Sequence, residues 1–294
     1  MSFLLQLVVD GLVQGMLLSC VAAGFGVVYR SFRLFHVAVG AQFVFSGYAF
    51  YAATVMLRLS PFLAAAMTLF LSLAFAVILE LAVYRPFAHK GCVGGVTMIA
   101  SLGMLIVTEN VIALCFGNEM RTIPHGPVPV VMLGCVRLTA LQIAQLLGSL
   151  AAFAVAGTFV CRSRLMKAAW AQGDEPSLLR TMCLPVGCIR LAVVTVGAAL
   201  VAVPAVLLAA DTGVDPHDGL RWMLMASVAV FFGGRENFWS WGFGALFVGV
   251  MQSVAVWKLP AEWAEAFAFA LLLLVLLVFP RGLFGGAKRL RGGS

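Results

Sequence analysis

Residues 162–190 read RSRLMKAAWAQGDEPSLLRTMCLPVGCIR, and this is the longest polar stretch in a chain that is otherwise mostly apolar. Basic residues dominate it, and two acidic residues, Asp174 and Glu175, stand near its centre. A long polar loop between apolar runs is typical of a membrane protein that contacts a partner in the cytoplasm. The alternative is a solvated connector whose positive charge serves only to orient the chain in the membrane.

The composition outside this stretch excludes a water-soluble fold. Hydrophobic residues make up 63% of the 294 residues and charged residues only 11%, and the mean hydropathy is +1.05. A soluble domain carries roughly a quarter charged residues. We therefore expect an all-α, polytopic integral membrane helical bundle that forms a single domain over residues 1–294.

Apolar windows of about 20 residues are needed to cross a bilayer as helices. Eight windows approach or exceed this length: 3–29, 34–57, 62–84, 95–116, 138–161, 191–210, 238–257 and 264–279. A ninth, 220–233, is short for a full crossing, so the sequence predicts eight or nine spans. Residues 118–137 contain three prolines and are predicted to be a loop.

The distribution of charge predicts the orientation of the chain. With nine spans and the loop 162–190 in the cytoplasm, most of the 19 basic residues fall on the cytoplasmic side. Acidic residues, including Asp211, Asp215 and Asp218, fall on the outer side. The positive-inside rule then places the N-terminus outside and the C-terminus in the cytoplasm.

The motifs that would indicate an enzyme are absent from the sequence. No HExxH, GxGxxG, GxxxxGK[ST] or GxSxG motif occurs, so neither a cofactor nor a nucleotide site is predicted. The four histidines have no partners at metal-ligand spacing. The basic residues are scattered between apolar runs, which disfavours binding to nucleic acid.

Polar residues inside the spans are the remaining functional signal, because burying them in lipid is costly unless they are used. Candidates for a polar path through the membrane are His36, Gly40, Gln42, Glu109 and Asn110. The alternative is that these groups form hydrogen bonds that only hold helices together. Glu80 lies near the end of its span and is predicted to be a helix-end charge.

Several stretches, in order along nearly the whole chain, carry a resemblance to one family. They are the apolar run 268–279 that leads into Pro280 and Gly282-Leu283-Phe284-Gly285, the tripeptide Tyr84-Arg85-Pro86, the segment 97–124 with Glu109-Asn110, and the glycine-rich segment that begins at Phe232-Gly233-Gly234. The chain resembles the permease subunits of bacterial ABC importers for branched-chain amino acids and the related urea and amide permeases.

The resemblance implies a role for the long polar loop and a set of partners. Residues that match the family's ATPase-coupling loop are Lys167, Ala168, Ala171, Asp174, Glu175 and, at the position of a family glycine, Cys183. The implied partners are ABC ATPase subunits, a periplasmic substrate-binding protein, a second permease subunit of the same or a similar chain, and membrane lipid. The implied location is the bacterial inner membrane.

The substrate and some alternatives stay open on the sequence alone. The family's Asn-x-Ala-His-Gly signature reads His36-Val37-Ala38-Val39-Gly40 here, so the match keeps only Ala38 and Gly40. A self-contained secondary transporter is the main alternative, although no clear internal repeat is visible. An intramembrane enzyme is disfavoured because no nucleophile–base pair is recognisable, and a structural scaffold would not explain the polar loop.

Overall fold

The computed structural model describes residues 2–89, 94–124, 128–133, 136–174, 185–234 and 237–257, with single helical positions at 263, 266, 270, 273 and 277. The helices are α1 (Ser2–Phe32), α2 (Ala38–Tyr51), α3 (Pro61–Leu79), α4 (Arg85–His89), α5 (Gly94–Phe116), α6 (Ala140–Arg162), α7 (Arg164–Asp174), α8 (Val186–Asp211), α9 (Asp218–Gly233) and α10 (Phe238–Ala255). Two π-helical segments continue α2 and α3: π1 (Ala52–Met56) and π2 (Glu80–Tyr84).

The structure contains most of the predicted membrane helices within its described residues. Seven helices in the described part of the chain are long and apolar enough to cross a membrane. The short window 220–233 lies within α9, whose buried residues include Met223, Ala226 and Val230. Most of the last predicted span, 264–279, lies outside the described residues. The chain is a polytopic helical membrane protein, as predicted.

Helix α1 forms the centre of the bundle. Cys20, Val21, Ala22 and Ala23 are fully buried, and α1 packs against α6, α8, α9 and α10. By contrast, α3 and α5 expose large apolar side chains such as Phe62, Phe70 and Leu114. An apolar surface of this extent in a polytopic chain is suited to lipid or to another membrane subunit.

Glycines allow α1 and α10 to cross at close range. A Cβ added to Gly11 would lie 2.8 Å from Val250 Cα, and one added to Gly15 would lie 2.9 Å from Leu246 Cα. On the opposing helix, a Cβ at Gly249 would lie 2.5 Å from Gly15 Cα. These distances leave no room for a side chain, so small residues set the separation of the two helices.

The segment 118–137 is not helical, as predicted, but it contains regular structure that was not predicted. Strands β1 (Val130–Leu133) and β2 (Val136–Thr139) form an antiparallel hairpin in which Val130 pairs with Thr139. Arg121 also forms an isolated antiparallel bridge with Val214. Thr139 then caps α6 through a reciprocal hydrogen-bond pair with Gln142.

The polar stretch 162–190 differs from a simple loop at both of its ends. Its first part forms α7, and its last residues, up to Arg190, already belong to α8. Residues 175–184 lie outside the described part. The bundle therefore has two ends: the α7 end, where α1, α3 and α6 finish, and the hairpin end, where α2, α5 and α8 finish.

Candidate functional site

Helix α7 presents one exposed face and one buried face. Met166 and Ala169 are buried and Ala168 is partly buried, whereas four residues spaced at helical intervals are exposed: Arg164, Lys167, Ala171 and Asp174. Residues three and four apart lie on the same side of a helix, so these four form one stripe. Of the predicted coupling residues, Lys167, Ala171 and Asp174 lie on this stripe, and Glu175 and Cys183 lie outside the described residues.

Helix α7 is fixed to the end of α1 by backbone and side-chain contacts. A Cβ added to Gly173 would collide with the carbonyl oxygen of Arg30, so only glycine fits at this crossing. Arg33 donates from Nε to the Gly173 carbonyl oxygen at 3.2 Å and from Nη2 to Asp174 Oδ1 at 2.7 Å. The Arg30 guanidinium lies 4.0 Å from the centre of the Trp170 ring. These contacts join α7 to the end of α1, so we expect the two helices to move together.

His36 lies in the short connection between α1 and α2, at the α7 end. Its ring centre is 4.8 Å from that of Tyr84. Burial and the nearby Arg190 guanidinium lower the pKa of His36 to about 4. The imidazole is therefore neutral at pH 7, and it can accept or donate a hydrogen bond without carrying charge.

Gln42 is buried in a polar cluster between α2 and α3. Its Nε2 donates to the Ser72 carbonyl oxygen at 2.8 Å and also to Ser72 Oγ. Ser46 Oγ donates to the Gln42 carbonyl oxygen at 2.7 Å and lies 3.0 Å from Ser72 Oγ. The Gln42 side chain thus joins two helices.

Gly40 and Glu109 meet at a close crossing of α2, α5 and α9. A Cβ added to Gly40 would collide with the Gly219 carbonyl oxygen, and one added to Gly219 would lie 2.9 Å from Glu109 Oε1. Among the described residues, Glu109 Oε1 is buried without a hydrogen-bond partner. Asn110 is separate from this group, since it is exposed and its Nδ2 donates to the Ile106 carbonyl oxygen of its own helix.

A narrow crevice connects His36 with Gln42. It lies between α1, α2, α3 and α8, and its volume of about 20 Å³ is close to what one water molecule needs. Below it, towards the α7 end, Glu80 Oε1 accepts from Arg190 Nε at 2.7 Å. Glu80 lies directly after the last residue of α3, at a helix end as predicted, and its side chain is 4% exposed and paired across two helices.

A larger cavity of about 570 Å³ opens between α1, α6, α8, α9 and α10 at the hairpin end. Its charged lining consists of Asp10, Asp211, Asp218 and Arg221, and its apolar lining includes Leu17, Trp222 and Met225. Asp211 Oδ2 accepts from Gln145 Nε2 at 3.1 Å, and Gln142 and Gln252 also line the space.

The sequence-predicted path residues do not line this larger cavity. The signal that could have found it is the polar face of α6, where Gln142 and Gln145 stand three residues apart, together with Asp10 in the first span. Asp211 and Asp218 were assigned to an outer turn because they follow an apolar window. Only the packed structure shows that they face the same space as Asp10.

Comparison with known proteins identifies the family. Residues 7–276 match the family model described as branched-chain amino acid transport system / permease component. The branched-chain amino acid permease BraD of Pseudomonas aeruginosa is 28% identical over 295 residues, which cover 96% of this chain and 95% of BraD. LivH of Salmonella typhimurium is 25% identical and LivH of Escherichia coli K12 is 24% identical, each with 96% of both chains covered.

A solved structure supports the fold at lower identity. The structure of PsaBC from Streptococcus pneumoniae in complex with Fab matches with a TM-score of 0.51 and 14% identity, covering 92% of this chain and 91% of that chain. Nearly the whole sequence lies inside the family match, and the helices lie where that sequence predicts them. The chain therefore belongs to the family of permease components of branched-chain amino acid transport systems.

Proposed function

We propose that this chain is the membrane subunit of an ATP-driven importer for a branched-chain amino acid and that a separate ATPase docks on α7. The observation that carries the proposal is the exposed stripe of α7, which lies at one end of the bundle on a helix fixed to α1. The chain has no nucleotide-binding motif of its own. A partner must then supply the energy of ATP hydrolysis.

The charge pattern of the stripe suits a mixed docking surface. Arg164 and Lys167 stand at the start of α7 and Asp174 stands at its end, with the small Ala171 between them. A small residue at the centre lets a partner backbone approach, and charges of both signs fix its register. ATP-driven movement of the partner would displace α7 and, through Arg33, the end of α1.

The cavity at the hairpin end supports a zwitterionic, apolar substrate. Carboxylates of Asp10, Asp211 and Asp218 can accept from an ammonium group, and Arg221 can donate to a carboxylate. Leu17, Trp222 and Met225 supply apolar contacts for an aliphatic side chain. The similar proteins BraD and LivH are named for branched-chain amino acids. The combination of charged groups and an apolar wall in the cavity disfavours urea or a simple amide as the substrate.

The remaining partners follow from the two ends and the lateral surface. With the α7 end in the cytoplasm of a bacterial inner membrane, the hairpin end would face a periplasmic substrate-binding protein. The apolar faces of α3 and α5 would contact lipid or a second permease subunit, identical or similar. Rigid-body rocking of the bundle between two states would then move substrate inward.

Two substitutions on the α7 stripe, one that reverses a charge and one that adds a bulky side chain, test the proposal. We would purify the tagged chain from membranes of its host, identify the proteins that remain bound, and measure leucine uptake into proteoliposomes that contain the complex. K167E and A171W are expected to release the ATPase and abolish ATP-driven uptake. The matched control is R58E, an exposed charge reversal at the hairpin end, which should retain the ATPase.

Two outcomes would contradict the proposal. The first is an ATPase that stays bound and fully coupled in both α7 variants. The second is a chain that purifies alone and accumulates leucine without ATP, which would indicate a self-contained secondary transporter.

A further inference from the structure

We propose that Glu80 and Arg190 form an ion-pair gate that closes the α7 end of the membrane path and opens when α7 moves. This inference rests on the proposed transport function and assigns positioning roles to two residues that the coupling stripe and the larger cavity do not include. Arg190 Nε donates to Glu80 Oε1 at 2.7 Å, with the two side chains 16% and 4% exposed.

The first argument is the cost of placing this pair between helices. A buried ion pair loses solvation that its mutual attraction only partly returns, and apolar residues of similar volume often stabilise a fold as well or better. An ion pair buried between two helices of a membrane protein is therefore a candidate for a functional contact. Helix packing alone does not require it.

The second argument is the location of the pair directly below the crevice. Leu79 precedes Glu80 and lines the crevice, and Val194, one turn after Arg190, lines its other side. His36 and Gln42, the predicted path residues, lie in the same crevice. Since the crevice holds about one water molecule, the described state is closed to an amino acid here.

The third argument is the local structure around Glu80. Glu80 is the first residue of π2, and single π turns inside helices are frequent at functional sites. Tyr84, the last residue of π2, packs on His36, and its hydroxyl is buried without a hydrogen-bond partner among the described residues. A donor left unsatisfied in the closed state can gain a partner when the pair separates.

The fourth argument is the connection to α7. Arg190 lies one turn into α8, which follows α7 after residues 175–185 and also packs directly against it. The Arg190 guanidinium lies 5.0 Å from the centre of the Phe32 ring, at the end of α1 that holds α7 through Arg33. Displacement of α7 would thus act on Arg190 by two routes.

The test uses the complete transport complex in proteoliposomes and measures two rates. The first rate is ATP-driven uptake of leucine, and the second is leucine efflux from preloaded vesicles without ATP. E80Q and R190Q are each expected to lose coupled uptake and gain ATP-independent efflux. The swapped double variant E80R/R190E is expected to restore tight vesicles and part of the uptake.

Controls separate a gate from a general loss of stability. R85Q changes an exposed arginine five residues after Glu80 and should keep both rates at the wild-type level. If E80Q or R190Q does not accumulate in the membrane, E80D and R190K are used instead. Each retains the charge but has a shorter side chain, which widens the gap between the two charged groups, and each should show the same efflux. Normal uptake with no added efflux in folded E80Q and R190Q would overturn the gate.

Failure of the gate and failure of the proposed function give different results. If the wild-type complex shows no ATP-driven leucine uptake, the proposed function fails before the variants are compared. If wild type transports leucine and the pair variants lose uptake without any increase in efflux, the function stands and the gate is rejected.

Discussion

His36 shows how a single titratable side chain is controlled by its neighbours at the α7 end. Tyr84 packs on one side of the ring, and the positive charge of Arg190 lies close by. Both the loss of solvent and the like charge oppose protonation of the imidazole. A neutral histidine beside the Glu80–Arg190 pair leaves that pair balanced in charge.

The lowered pKa of His36 predicts how stability depends on pH. The unfolded chain binds a proton at His36 near pH 6.5, but the folded protein binds it only near pH 4. Acidification across this window therefore favours unfolding, by at most about 3 kcal/mol. Thermal unfolding of wild type and H36Q in detergent, at constant ionic strength, should diverge between pH 6.5 and 4, with wild type losing more stability. Parallel curves would contradict the assignment.

At the scale of the helices, the crossing of α1 and α10 has little tolerance for added side chains. The backbones approach so closely at Gly11, Gly15 and Gly249 that any added side chain must displace one helix. Overpacking of a buried contact typically costs about 1–3 kcal/mol. Because α1 is central, such a displacement also disturbs the cavity wall formed by Val13 and Leu17.

This crossing gives a prediction with a matched control. G15V is expected to lower the free energy of unfolding by about 1–3 kcal/mol and to reduce transport. G103V places the same side chain on α5, where an added Cβ has nothing within 4 Å, and should leave both nearly unchanged. Apparent melting temperatures in detergent measure the difference, and an equal loss in the two variants would refute the packing argument.

Hydropathy predicted the long helices because a membrane span needs an apolar run of defined length. It did not predict β1 and β2, because strands of four residues leave too short a pattern. Arg190 was assigned to the polar loop because a single charge at the edge of an apolar window marks a boundary. Arg190 pairs with Glu80, which lies 110 residues earlier in the chain. This pairing depends on how α3 and α8 pack, and no local sequence pattern contains that information.

The candidate site was predictable only in part for the same reason. The resemblance to the permease family implied that Lys167 and Ala171 belong to a coupling loop, and the structure exposes both residues. The residues that line the cavity come from α1, α6, α8, α9 and α10. Each polar residue could be identified in the sequence, but the sequence did not show that these residues meet in one cavity. Glu109 was predicted to be functional because burying a carboxylate in the membrane is costly. Asn110 beside it faces away from the crossing that contains Glu109, since adjacent residues on a helix point in different directions.

At the scale of the whole molecule, the two ends differ in charge. In the described residues, the α7 end carries seven basic residues (Arg30, Arg33, Arg85, Arg162, Arg164, Lys167 and Arg190), whereas the hairpin end carries four (Arg58, Arg121, Arg137 and Arg221) together with Asp10, Glu119, Asp211, Asp215 and Asp218. The positive-inside rule therefore predicts that the α7 end is cytoplasmic.

Cysteine labelling tests this orientation. A171C on the α7 stripe should react with a membrane-impermeant maleimide only in inverted vesicles, and V131C on the exposed face of β1 only in intact spheroplasts. The parent chain is the control, because Cys115 and Cys188 are themselves exposed, and only labelling above the parent counts. The reverse pattern would overturn the orientation.

The contact between the first and the last long helices of the described chain has a consequence for biosynthesis. Ser253 on α10 donates to the Leu7 carbonyl oxygen on α1, two residues separated by 246 positions. At about 5–20 residues per second, a ribosome needs on the order of tens of seconds to make the intervening chain. During that interval the Leu7 carbonyl oxygen, Gly11 and Gly15 of α1 lack their α10 partners, so we expect this face of α1 to contact lipid or another helix until α10 is made.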